Sequence, residues 1–215
     1  TFHRLAQVDG PVLIVHDATE LDYTTHKSLD GMGQIGCGTR RGYIVHNSLA
    51  VQAGNREVLG LVNQVLHQRA TVSKTETKAQ RKKRESRESL LWIKGVQPLP
   101  INNWNLIDVC DRGADTVEFI EHEISSGRRF VIRSAHDRRI LIGHGPAKEC
   151  KSSKLREHVR ELAPVGTWSL EVTSKVELRR GKGKEQKKVV VRQSRQAKMA
   201  VSFAAVQLTA RGRGK

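Results

Sequence analysis

Apolar residues fall in short runs along this chain, and several runs end on a charged residue. Residues 12–15 follow Pro11 as an unbroken Val-Leu-Ile-Val, which predicts a strand buried on both faces with Asp17 at its end. Residues 43–51 and 58–66 read as two further strands. With an Asn55-Arg56 turn between them, they predict an antiparallel hairpin beside the first strand. Residues 105–110 predict a fourth strand that delivers Asp111, and residues 130–134 a fifth. Between those two, Val117, Ile120 and Ile124 recur at helical spacing, so a helix is predicted over 116–126. Asp115 and Glu118 form a capping box at its start, which leaves Asp111 free of a capping role, and Gly127 suits its C-terminal end.

Other stretches are less regular. Residues 17–20 (Asp-Ala-Thr-Glu) admit two readings, a short helical turn capped by Asp17 or a strand end at which Asp17 is a ligand. Residues 21–29 are polar and irregular. Residues 69–89 hold no large apolar residue except Val72, carry Arg81-Lys82-Lys83-Arg84, and read as a basic loop. A short helix is expected over 86–94, ended by Pro98 and Pro100. After residue 150 a helix over 155–162 precedes alternating strands at 167–178, 188–193 and 198–208, with a basic turn at 179–184. This predicts an α/β core over 1–150 and an incomplete β-rich segment over 151–215. Gly31-Met-Gly-Gln-Ile-Gly36 has the letters of a dinucleotide fingerprint. No strand leads into it and no helix opens after it, so it reads as a loop.

Composition narrows the partners. The 215 residues include 38 Lys+Arg against 22 Asp+Glu, a net charge of +16, which suits a polyanion. Residues 151–215 hold 17 Lys+Arg and 5 Glu, so most of the excess lies there. Duplex DNA contacts from 69–89 and 151–215 are expected to be to phosphates. Cys37, Cys110 and Cys150 have neither metal nor redox spacing, which points to a reduced intracellular setting. No apolar run approaches the ~20 residues of a membrane span, and no signal peptide or membrane partner is expected. The chain starts at Thr1 close to strand material, as an excerpt from a longer protein would.

The chemistry lies in the two strands that deliver Asp17 and Asp111. Three strands carrying one acid, then a helix, then a strand ending in a second acid is the plan of a ribonuclease-H-like mixed sheet with flanking helices. Two carboxylates at one sheet edge favour a cation between them. Hard oxygen ligands suit Mg²⁺ or Mn²⁺, and two such ions about 3.5–4 Å apart promote phosphodiester chemistry. Arg133, with Arg138 and Arg139 beyond it, either serves that site or pairs with a local carboxylate. Arg40 and Arg41 either meet phosphate or are solvated. His46 and His67 read as structural or surface residues.

These residues also carry a family resemblance. Val12-Leu-Ile-Val-His-Asp17-Ala-Thr-Glu-Leu-Asp-Tyr23 resembles the first catalytic block of the DDE transposases of bacterial insertion sequences, in particular the insertion-sequence-four family. Gly33-Gln-Ile-Gly36, Arg41-Gly-Tyr43 and His46-Asn-Ser-Leu49 resemble that family's next block. Val109-Cys-Asp111-Arg-Gly-Ala-Asp115 with Arg129-Phe-Val-Ile-Arg133-Ser-Ala-His136 resembles its second catalytic block. The match runs from about residue 5 to 140, and the later strands resemble the family's β-rich insertion less specifically.

The resemblance implies that Asp17 and Asp111 are the first two acids of a metal-binding triad. It also implies nicking and strand transfer at transposon ends by a homodimer in the bacterial cytoplasm, at the nucleoid. Arg133 matches a family arginine near the DNA, and Arg40, Arg41, Arg112 and His136 are the further candidate DNA contacts. Gly113 stands where relatives often carry Glu. The family's third acid, a Glu in a Tyr-two-Arg-three-Glu pattern, has no counterpart, because the two tyrosines, Tyr23 and Tyr43, begin no such pattern. Glu157 and Glu161 share a helix with Arg156 and Arg160 and are expected to pair on the surface. The chain as given is therefore expected not to cut DNA at an appreciable rate. The alternative is a non-catalytic DNA-binding remnant of a truncated element. An RNA-binding protein is disfavoured by an aromatic content of 4%.

Overall fold

The structure, a computed structural model, describes residues 1–209 apart from 74, 101–104, 144, 146–149 and 181–185. It is a mixed α/β chain that divides into two compact units, Thr1–His136 and Asp137–Lys215. The division falls at 136/137 rather than after residue 150.

The first unit is built on a six-stranded mixed sheet. Strand β1 (Val12–Asp22) pairs antiparallel with β3 (Arg41–Gln52) and parallel with β5 (Leu106–Cys110). The far edge of β3 pairs antiparallel with β4 (Val58–His67) and with the two-residue β2 (Gly33–Gln34). β5 pairs parallel with β6 (Arg129–Ile132). The central order is thus β4-β3-β1-β5-β6.

Strand alternation divides the sheet into two faces. Val12, Ile14 and His16 of β1 share one face with Ala50 and Ser48 of β3 and with Leu106, Asp108 and Cys110 of β5, and all eight are buried. Helices α1 (Phe2–Leu5), α3 (Leu91–Val96) and α4 (Val117–Ser125) cover that face. Leu5 and Val8 pack there with Trp92, Val96 and Phe119. The opposite face leaves Val15, Leu61, Leu66 and Val131 exposed.

Three expectations are corrected here. β1 does not stop near Asp17 but continues to Asp22, and the helical-turn reading of 17–20 fails. The extension is fixed by tertiary contacts: the Gly36 N–H donates to Glu20 Oε1 at 2.7 Å, and Arg40 donates to Asp22 at 2.9 Å. Residues 69–89 are not all loop, since α2 (Lys78–Lys83) opens on a Thr77–Gln80 capping box, followed by a 3₁₀ turn at Glu88–Leu90. α4 is capped by Thr116, whose hydroxyl accepts from Phe119 N, and not by Asp115. Gly127 follows α4 at φ +62°, as expected of a left-handed closing residue. No helix opens after Gly36, in keeping with the loop reading.

In the second unit β7 (Arg139–Ile142) lies between β8 (Lys151–Lys154) and β13 (Gln207–Leu208). A short helix α5 (Leu155–Glu161) follows β8. Two antiparallel ribbons complete the unit: β9 (Gly166–Val172) with β12 (Arg195–Val201), and β10 (Lys175–Arg180) with β11 (Gln186–Arg192). Most of the basic turn expected at 179–184 lies outside the described residues. Among the described residues, no helix is long and apolar enough to cross a membrane.

Candidate acid site and its basic neighbour

Parallel pairing aligns the candidate acids. His16 of β1 is opposite Cys110 of β5, and Cys110 is opposite Ile132 of β6. The next level along the chain is therefore Asp17, Asp111 and Arg133. Arg133 lies just past its strand, not within it, and its N–H donates to Cys110 O at 3.1 Å. Asp17 and Asp111 line one cavity of about 320 Å³ with His46, Glu88, Trp92 and Gly113.

Each acid has one oxygen engaged. Asp17 Oδ1 accepts from Ala18 N at 2.8 Å, and Asp111 Oδ1 accepts from Gly113 N at 2.7 Å. The second bond makes Asp111 the cap of a 3₁₀ turn, Arg112–Ala114, so the expectation that it has no capping role is corrected. The other oxygen of each carboxylate has no hydrogen bond among the described residues. That donor set, two hard oxygens on neighbouring strands, fits one side of a divalent cation's shell. Among the described residues, no group of three or more His, Cys, Asp or Glu side chains is arranged to hold a metal ion.

Beneath the acids runs a buried polar network that the sequence pattern did not reveal. His16 Nε2 bonds Asp108 Oδ1 at 2.9 Å, and its Nδ1 bonds Ser48 Oγ at 3.0 Å. Arg128 donates to Asp108 Oδ2 from Nε at 2.9 Å and from Nη2 at 2.7 Å. His46 stacks on His16 with ring centres 5.6 Å apart and meets Trp92 edge-on at 4.7 Å. Burial first, then the neighbouring His16, pulls its pKa down to about 4, so it is neutral at pH 7.

Glu123, fully buried, lies 3.6 Å from Arg128, and burial, reinforced by Asp108, raises its pKa. A carboxyl whose folded pKa is raised stabilises the fold below its ordinary value of 4.5, and that contribution is lost as pH rises toward the folded value. Glu123→Gln is expected to flatten this decline. Urea midpoints of the variant and the unsubstituted chain, compared at intervals above pH 4.5, should diverge in the variant's favour. Parallel curves would refute the shift.

The remaining implied contacts separate into two groups. Arg112, Arg133 and His136 are exposed near the ends of β5 and β6. Asp115, not needed as a helix cap, accepts from Ala135 N at 2.7 Å and His136 N at 3.0 Å, and so holds the segment that carries Arg133 and His136. Arg40 and Arg41 are not brought to the acids. Gly42 is opposite Asp22, five residues beyond Asp17, or about 17 Å along a strand. Arg40 pairs with Asp22, whose carboxyl is held at about 2 by Thr24 first and Arg40 after it, while Arg41 donates to Met32 O at 3.0 Å.

A second, larger cavity of about 660 Å³ adjoins the first. Arg69, Lys78, Arg81, Lys82, Arg84 and Arg87 line it, and Glu88 and Ser89 line both cavities. The chain matches no family model.

Proposed function

We propose that this chain is part of the catalytic core of a DDE-type transposase with a ribonuclease-H-like sheet. In this reading the whole protein cleaves phosphodiester bonds at transposon ends and transfers the strand into target DNA, as a homodimer on duplex DNA. The observation that carries the reading is the alignment of Asp17 and Asp111 at one level of adjacent parallel strands, in a sheet ordered β4-β3-β1-β5-β6. Asp17 and Asp111 would hold Mg²⁺ or Mn²⁺, which supplies charge stabilisation at the reacting phosphate. Arg112 and Arg133 stand beside them as phosphate ligands of opposite charge.

The second reading, a non-catalytic DNA-binding remnant, is favoured by one observation: Asp111 already has a structural task as a cap. Manganese binding separates the two. Electron paramagnetic resonance titration is expected to detect weak Mn²⁺ binding that Asp17→Ala and Asp111→Ala each reduce by at least tenfold. No Mg²⁺- or Mn²⁺-dependent nicking of plasmid is expected from the 215-residue chain, because two carboxylates do not hold two ions in register with the attacking and leaving oxygens. Mn²⁺ binding unchanged in both variants would defeat the metal reading. Nicking abolished by Asp111→Ala would instead reveal a further ligand in the chain.

A further inference from the structure

We infer that the cavity around α2 is a phosphate-binding site for nucleic-acid backbone, and that it seats the same strand whose phosphodiester reaches Asp17 and Asp111. The inference rests on the function proposed above and adds the path of the substrate. A run of basic residues is ordinarily a solvated face, but here the run is folded into a concavity. The Thr77–Gln80 box starts α2, and three ion pairs shape the walls: Arg69 with Glu88, Arg84 with Glu76 at 2.9 Å, and Arg87 with Glu118 at 2.8 Å.

Lys78, Arg81 and Lys82 are different. All three are exposed, line the cavity, and have no carboxylate partner among the described residues. Three uncompensated cations in a recess suit successive phosphates and carry no means of reading bases. The second observation is the shared wall. Glu88 and Ser89 line both cavities, so a polyanion leaving the basic recess passes directly to the acids. Glu88, at that passage, is neutralised by Arg69, and the charges a phosphate chain meets beyond it are Asp17 and Asp111. A bare phosphate chain is repelled by those carboxylates unless a cation is bound between them, which couples occupancy of the two cavities.

The test is fluorescence anisotropy of the full chain with a labelled DNA duplex over a salt series, with and without Mn²⁺ at matched ionic strength. Lys78→Ala/Arg81→Ala/Lys82→Ala is expected to lower the salt slope by up to about 2.7, at about 0.9 for each phosphate no longer neutralised. Mn²⁺ should tighten duplex binding by the unsubstituted chain at least fivefold, and this gain should vanish in the α2 variant. A control of equal charge, Lys188→Ala/Arg195→Ala/Lys198→Ala, should retain the gain. An unchanged slope, or a full Mn²⁺ gain in the α2 variant, overturns the inference. So does an equal loss of binding to phosphatidylglycerol vesicles, which would make the recess a general anion surface. If Mn²⁺ binds the unsubstituted chain in the resonance titration but brings no gain in duplex binding, the inference that one strand joins the two cavities is overturned. If Mn²⁺ does not bind at all, the metal reading fails instead, and the slope alone decides for the recess.

Discussion

Asp108→Ala is expected to destabilise the first unit by about 3–5 kcal/mol, because it strands two buried partners at once. The Arg128 side chain is only 6% exposed and the His16 side chain is fully buried, and both bond to the same carboxylate. Removing it takes the shared acceptor from both, leaving the guanidinium only the longer contacts to Glu123 at 3.6 Å and Pro100 O at 3.4 Å, and the imidazole only Ser48, in a medium that solvates neither. A unit of this size has a total stability of roughly 5–15 kcal/mol, so the loss approaches the whole in the weaker case. The measurement is urea unfolding followed by circular dichroism, with Asp108→Asn as the milder control that keeps an acceptor oxygen. A loss below about 1 kcal/mol for Asp108→Ala would show that the network carries little of the fold's stability.

Gly42→Ala is expected to be nearly as damaging, by a different route. A Cβ at Gly42 would sit 1.8 Å from the carbonyl oxygen of Leu21, and backbone cannot move aside as a side chain can. Overpacking of this kind costs about 1–3 kcal/mol and more where backbone must shift. The damage should be local, because Gly42 is opposite Asp22 at the end of the β1–β3 pairing, so residues 19–22 would detach while residues 12–16 stay paired. Hydrogen exchange resolves this: protection should fall at residues 19–22 and 41–45 and persist at 12–16. Uniform protection across the strand would mean the two backbones already have room.

The frame is legible in the sequence wherever apolar residues mark it. The strand at 12–15, the 43–51 and 58–66 hairpin and the strand before Asp111 appear as strands at the expected places, because buried strands need such runs, but the run at 12–15 is buried on one face rather than both, since Val15 is exposed. The common level of Asp17 and Asp111 is legible for the same reason: each follows an apolar run, and the parallel pairing of those runs brings the two positions to one level, although β1 itself continues to Asp22. Residues 18–22 are not, since Ala-Thr-Glu-Leu-Asp has no strong strand pattern and is ordered by contacts made some 15–20 residues away, at Gly36 and Arg40. α2 is hidden because helices are usually recognised by an apolar stripe, and α2 buries no residue. Its Thr77–Gln80 box is the available signal. Asp108 reads as one more strand residue, yet it occupies the parity of Leu106 and Cys110, and a polar residue at a core parity needs a buried partner. His16, at the same parity in β1, is that partner. Asp115 and Thr116 both have the spacing of a cap, and only the tertiary use of Asp115 by Ala135 and His136 decides between them.

The adjacency of His16 and Asp17 bears on how β1 can change during evolution. His16 points into the protein and the next residue belongs to the other face, so their roles depend on whether the number of residues from Val12 is odd or even. Deleting one residue between Val12 and Asp17 would turn the carboxylate inward toward Asp108 and send the imidazole out to the opposite face, at the level of Val109. Two like charges would then share a buried socket. Deleting two would preserve the alternation at the expense of length. Lineages that retain this sheet should therefore show substitutions in residues 12–17 but gaps there only in multiples of two.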